Sequence, residues 1–204
     1  MTPQADLAAE LLIHLARLAQ SGGDHRLTPA QWTALRFFAR ANRLSRTPSA
    51  FSAFHATTRG TASQTVKSLV ALGLLERHRN EEDGRSIRFE LTQAGHEVLA
   101  EDPLRNLAGR IATLPEATRT ALTAALKSLS GTMALGQEVP MFGTCSDCAH
   151  CDPPAGDGRG GTTAFCRCAE ATLLATEMDA LCIEFRPRGG EARARPASGA
   201  GGVN

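Results

Sequence analysis

The sequence predicts a mainly helical fold with one small β-hairpin, followed by a separate cysteine-rich segment. Three observations carry this. Within residues 1–136, apolar side chains recur at three- and four-residue spacing in several stretches. Around residue 80 the pattern changes to two short strands flanking turn-forming residues. All six cysteines lie at or beyond Cys145.

Composition agrees with a helical core. Hydrophobic residues make up 42% of the 204 positions, aromatics only 4%, and tyrosine is absent. The apolar content is mostly Ala, Leu and Val, which leans towards helix. The net charge of +1 says nothing about partners, so the distribution of charge has to. MTPQADLAAE has no basic region followed by an apolar core, and no apolar run approaches the ~20 residues of a membrane span. The expectation is a cytoplasmic protein with no membrane partner, where clustered cysteines read as a metal or redox site rather than disulfides.

Taken in order, Leu7, Leu11, Leu12, Leu15 and Leu18 give the first helix, from Pro3 to Gln20, and Ser21-Gly22-Gly23-Asp24 ends it. Thr28 is a good N-cap for a second helix, with Pro29 in its first turn and Leu35, Phe37 and Phe38 on its inner face. Ser49 to His55 forms a short third helix. Arg59-Gly60-Thr61 reads as a turn, with a fourth helix from about Ala62, Val66, Leu69 and Val70 facing inward, and Gly73 closing it. Two short helices joined by such a turn form a helix-turn-helix. Leu75 to Arg79 and Ile87 to Leu91 are strands around Glu82-Asp83-Gly84-Arg85, a hairpin placed as a wing. Thr92 caps a helix to about Glu101, and a last one runs from about Pro115 to Leu135 with Leu122, Leu126 and Leu129 on one face.

These elements resemble the MarR family of bacterial winged helix-turn-helix transcription regulators over residues 5–136. The matching residues are Leu27-Thr28-Pro29-Ala30-Gln31-Trp32, Thr61-Ala62-Ser63-Gln64-Thr65-Val66-Lys67, Asp83-Gly84-Arg85, and Leu91-Thr92-Gln93-Ala94-Gly95. The polar turn Thr57-Thr58-Arg59-Gly60 departs from the family, and the cysteine segment lies outside its common core. The resemblance implies a homodimeric repressor binding a palindromic DNA operator, with residues 5–20 and 115–136 pairing across the two-fold axis. A small-molecule effector near the dimer crevice is a further partner that it allows.

Charge placement fits a DNA reader. Between Arg43 and Arg88 there are eight Lys or Arg residues against four acids. Phosphate neutralisation supplies most non-specific DNA affinity. Thr61, Ser63, Gln64, Lys67 and Ser68 belong to the recognition helix. Gln64 suits an adenine edge, and Lys67 a guanine or a phosphate. By the resemblance, Arg85 at the wing tip enters the minor groove, where a narrow groove attracts a guanidinium. The alternative reading is a winged-helix protein-interaction module with a structural zinc site and no DNA binding.

The cysteines follow C-x2-C-x2-C-x14-C-x-C-x13-C, from Cys145 to Cys182. Close pairs separated by a Gly/Pro loop suit a tetrahedral thiolate site, and so small a stretch would take folding energy from the metal. Cys145, Cys148, Cys168 and Cys182 make a balanced zinc-ribbon-like set, with Cys151, Cys166 and His150 as substitutes or bystanders. Zinc is the expected ion and an iron–sulfur cluster the alternative, since both take four thiolates. From Cys145 to Glu184 there are seven acids and two arginines, so this segment is not a DNA reader; a structural cap or a sensor fits it. The expected division is residues 1–136 for DNA binding and dimerisation, 137–187 for the metal-binding segment, and 188–204 as a disordered tail. No histidine pair at i, i+4 and no Gly-rich phosphate loop is present, so no catalytic role is expected.

Overall fold

The structure, a computed structural model, describes residues 2–21, 27–79, 87–153 and 163–189. The first half comprises helices α1 (Pro3–Ser21), α2 (Pro29–Arg40), α3 (Pro48–Phe54) and α4 (Arg59–Ala71), then strands β1 (Leu75–Arg79) and β2 (Ile87–Leu91). Helices α5 (Gln93–Ala100), α6 (Leu104–Ala112) and α7 (Glu116–Gly136) follow, and then strands β3 (Cys151–Asp152), β4 (Thr163–Cys166) and β5 (Ala171–Leu174).

Threonine sets the start of four helices. The side chains of Thr28, Thr47, Thr58 and Thr92 each accept a backbone N–H three residues on, satisfying a donor that the first turn leaves open. At Thr28 the bond is reciprocal, because the Gln31 side chain accepts the Thr28 N–H at 2.8 Å. The cap at Thr58 moves the start of α4. Arg59-Gly60-Thr61 is its first helical turn rather than a separate one, because Thr58 Oγ1 takes the Thr61 N–H at 3.1 Å. Gly73, at φ +69°, ends that helix in the left-handed region favoured by glycine.

The strands run as the sequence predicts, β1 antiparallel to β2 with Leu75 opposite Leu91 and Arg79 opposite Ile87. The expected turn at residues 82–85 lies outside the described residues. Helix α6 was not expected: its nine residues fall between two clearer periodic stretches, and none of them is buried.

The core sits under α2. Leu35, Phe38 and Leu69 are fully enclosed, and Phe37, Phe51 and Val66 pack with them. Phe38 meets Phe37 edge-on at 5.4 Å and reaches Phe51 and Phe89 at 6.0 Å, joining α2, α3 and the wing. Val70, expected to face inward, is 37% exposed, so Val66 and Leu69, with the smaller Ala62, anchor α4. Among the described residues, helix α1 contributes no buried side chain, and α7 buries only Gly131 and Ala134.

Asp102 ties α2 to the start of α6. Its carboxylate accepts Arg36 Nε at 2.7 Å and the Leu104 N–H at 2.8 Å. Burial pushes the carboxyl pKa up, but the Arg36 and Leu104 hydrogen bonds, with the charges of Arg36 and Arg105, outweigh it and hold the group below its ordinary value. A depressed folded-state pKa means the stabilisation is present above the ordinary carboxylate range and is lost as pH falls through the lower folded value. Asp102→Asn is therefore expected to lose about 1.5–3 kcal/mol at pH 7. The loss should shrink towards zero in acid, where the native carboxyl is also neutral, and urea unfolding at the two pH values measures it.

Residues 137–144 lead back across the helical half, where the Phe142 ring lies 6.0 Å from Phe54 and 5.5 Å beneath the Arg40 guanidinium. The cysteine-rich segment then folds as an antiparallel β3-β4-β5 meander with Cys151 opposite Cys166. It is docked on the winged helix rather than trailing from it. Leu181 is part of the α2–α4 core, with its N–H donated to Arg40 O at 2.7 Å and its carbonyl accepting the Asn42 N–H at 2.8 Å.

Candidate functional site

Two surfaces carry chemistry: the outer face of α4 and the thiol cluster. Burial of Ala62, Val66 and Leu69 turns the opposite face of α4 outward. Thr61, Gln64 and Lys67 are exposed there, with Ser63 and Ser68 half-buried at its margins. A shallow groove lined by Thr28, Gln31, Gly60, Thr61, Gln64, Thr65 and Ser68 runs beside the helix. Within it Gln31 Nε2 donates to Ser68 Oγ at 3.1 Å, and that hydroxyl donates to Thr65 O at 2.7 Å. Ser68 is thus engaged within the chain, while the exposed ends of Gln64 and Lys67 project outward. Thr61 bonds through its hydroxyl to Thr58 at 2.9 Å, a helix-start contact. Arg85 lies outside the described residues.

The basic residues divide by position. Arg59, Lys67, Arg77 and Arg79 are exposed on the α4 and β1 side. Arg43, counted with them from the sequence, instead points at the cysteine segment, with Nη1 2.9 Å from Glu177 and Nη2 donating to Thr172 O at 2.7 Å. Arg46 donates to Ala41 O at 2.9 Å and lies 3.7 Å from Glu90.

The thiols form the second site. Cys145, Cys148, Cys151, Cys166 and Cys182 share one buried cluster with Ala164 and Leu173, capped by Leu44, Met178 and Phe185. Gly143 permits this packing, because a Cβ there would fall 2.3 Å from the Phe185 ring. Cys151 and Cys166, directly paired across β3 and β4, place both thiols on the same face of the sheet. Cys168 lies in the 167–170 turn and is exposed. Of the four expected ligands, Cys145, Cys148 and Cys182 are buried in one cluster and Cys168 is exposed. Its C-x-C spacing with Cys166 would share a face in a continuing strand, but the chain turns first, with Glu170 at φ +50°.

Cys145 and Cys182 are hydrogen-bonded to each other. The hydrogen bond from Cys145 lowers the Cys182 pKa to about 6 against the opposing effect of burial, helped by the Glu184 N–H, the Asn42 amide and Ser45. The same pairing, with burial, pushes the Cys145 thiol up. Asn42 Nδ2 also donates to Cys145 Sγ at 3.5 Å, and the His150 N–H to Cys148 Sγ at 3.4 Å. Among the described residues, no three Cys, His, Asp or Glu side chains close on one point as a finished metal site. The donor chemistry nevertheless suits a thiolate-bound metal: five enclosed sulfurs, several already receiving N–H bonds of the kind that tune such centres.

Asn42, Ser45 and Leu181 escaped the sequence reading. ANRLS carries only a loop signal, and nothing in the spacing of Leu181 marks it as part of a core 140 positions earlier.

Helices α2, α3 and α4 followed by the β1-β2 hairpin have the order and packing of a winged helix. Residues 25–86 match the family model described as MarR family. A MarR family transcription regulator of known structure superposes with TM-score 0.51 at 24% identity, covering 67% of this chain and 93% of that one. The transcriptional regulator SlyA gives TM-score 0.54 at 18% identity, covering 67% and 98%. The MepR–DNA complex of S. aureus gives 0.51 at 16%, covering 65% and 99%. At these identities the likeness establishes the fold. No curated protein matches the chain by sequence. Among the described residues, no helix is long and apolar enough to cross a membrane.

Proposed function

We propose that the chain is a homodimeric, sequence-specific DNA-binding transcription regulator with a thiolate metal site in its C-terminal segment. The observation that carries this is the outward face of α4, where Gln64 and Lys67 are exposed on a helix anchored by Val66 and Leu69. Gln64 suits bidentate contact with adenine, and Lys67 suits a guanine or a phosphate. Exposed Arg59, Arg77 and Arg79 add phosphate contacts beside it. That MepR, a protein of the same fold, is known bound to DNA supports the reading.

A second copy of the chain is the partner suggested by the outer helices. Leu7, Leu11, Leu15 and Leu18 on α1 and Leu126, Leu129 and Met133 on α7 are all exposed, a large apolar surface for a water-facing monomer. Pairing these helices across a two-fold axis would bury them and set two α4 helices against successive major grooves, about one DNA turn apart.

Cys145, Cys148 and Cys182, with Cys166 or Cys151 in place of exposed Cys168, would hold zinc or an iron–sulfur cluster. Bound there, either would supply folding energy to a segment with little apolar core of its own. Elemental analysis and the absorption spectrum of anaerobically purified protein distinguish them: zinc gives a colourless sample, an iron–sulfur cluster a brown one absorbing near ~400 nm.

Fluorescence anisotropy with duplex DNA across ~50–200 mM salt tests the DNA role. Lys67→Ala is expected to weaken binding to all sequences and, if the lysine meets a phosphate, to reduce the salt slope by about 1. Gln64→Ala is expected to relax preference at one base pair, at about 1–3 kcal/mol. Absence of DNA affinity even at low salt would rule out the DNA-reading role.

A further inference from the structure

The loop between α2 and α3 touches both surfaces. On one side, buried Asn42 donates its amide to Cys145, and Leu44 packs against the thiol cluster. Ser45 Oγ accepts the Ile183 N–H at 3.2 Å, one residue beyond Cys182. Arg43 clamps Glu177 and Thr172 O at the far end of β5. On the other side, Arg46 O accepts the Phe89 N–H of β2 at 2.9 Å, and Thr47, the next residue, caps α3 and so begins the helix-turn-helix.

Within the loop these contacts are locked together. The Asn42 side-chain oxygen accepts the Ser45 N–H at 2.9 Å, and Arg46 Nε donates to Ala41 O at 2.9 Å. Asn42 and Ser45 are each only 1% exposed. A buried amide is costly unless every polar atom is satisfied, and Asn42 meets that need partly with a sulfur. Its position therefore depends on what the sulfur is bonded to.

We propose that residues 41–47 form a relay through which occupancy of the thiol site sets the posture of the wing and the start of α3, so that loss of the bound metal lowers DNA affinity. This rests on the thiolate site and the DNA reading proposed above. Asn42 and Ser45 are positioning residues: neither is a metal ligand or a DNA contact. With the metal in place, the cysteine side of the loop is held and Arg46 O stays presented to Phe89. With it removed, Asn42 loses a fixed partner, and the same loop frees the wing strand and the α3 cap together.

The test uses the full-length protein as purified and after stripping with a mercurial and EDTA. DNA affinity is read by anisotropy and protection of the Phe89 amide by hydrogen exchange. In the wild type, stripping is expected to weaken DNA binding about 5- to 150-fold, the usual range of coupling between sites, and to lower Phe89 protection. Asn42→Ala and, separately, Arg43→Ala should retain metal at wild-type stoichiometry yet show less than about a twofold response to stripping. The Arg43 variant keeps the test decisive if Asn42→Ala fails to fold. A wild type that holds metal, binds DNA and shows no change on stripping overturns the relay alone, as do variants responding like the wild type. A protein without bound metal overturns the thiolate site and the relay together, and one without DNA affinity overturns the DNA reading.

Discussion

Phe38→Ala is expected to remove about 3–5 kcal/mol of stability, enough to unfold a large share of a marginal domain at physiological temperature. Phe38 is fully buried and its ring meets Phe37, Phe51 and Phe89 from three separate elements. Removing it leaves a cavity that none of the three can fill without shifting, because each is held by its own helix or strand. The wing loses one of its apolar tethers to α2, through Phe89, so DNA affinity should fall more than the unfolded fraction explains. Urea unfolding followed by circular dichroism measures the first effect, and anisotropy corrected for folded fraction measures the second. Phe38→Leu, which keeps much of the volume, should recover most of both.

Cys182→Ala is expected to give the second large effect, in metal content. Cys182 is buried, paired with Cys145, and flanked by Leu181 in the winged-helix core and Ile183 against it. Apparent metal-binding energies of about 10–16 kcal/mol are usual for structural zinc in small modules, so loss of one ligand should release the metal and loosen the segment. The winged helix should remain folded, because its core is otherwise built from α2, α3, α4 and the wing. Limited proteolysis should then cut within residues 137–187 while helices α2 and α4 stay protected. Cys168→Ala, by contrast, should leave metal content at the wild-type level, since Cys168 lies outside the buried thiol cluster.

The contrast between Cys168 and Cys166 shows where sequence reasoning reaches its end. Spacing marks a thiol-rich segment from Cys145, but which cysteines share the buried cluster depends on the position of one turn. Strand pairing put Cys166 opposite Cys151 and turned Cys168 outward, and no local pattern announces that. The winged helix was far more legible. Its Thr caps, its Gly73 stop and the period-two change at Leu75 and Ile87 are local signals, and the wing strands were read to the residue. The first turn of α4 was misread because Arg59-Gly60 resembles a turn, while the Thr58 cap that makes it helical sits one residue earlier. Contacts distant in sequence were invisible. Nothing in ANRLS or in the run around Leu181 shows that the two would pair, and it is this pairing that makes the cysteine segment part of the fold.

That pairing changes what the C-terminal segment can do. An acidic appendage joined only by a linker could affect DNA binding through charge alone. One whose Leu181 lies in the core beside α2, and whose Cys145 meets Asn42, has contacts through which it would alter the geometry of the proposed reader itself. The DNA-reading role of α4 comes first, because every regulatory consequence depends on it.

Selection from a pool of random duplexes by the purified, metal-replete protein tests that role most directly. The expected result is enrichment of a two-fold symmetric sequence whose half-sites are centred about one helical turn apart. Gln64→Ala is also expected to lose preference at one position of each half-site. A pool left unenriched at low salt, or enriched identically by the wild type and a Gln64→Ala, Lys67→Ala double variant, would contradict the DNA-reading role.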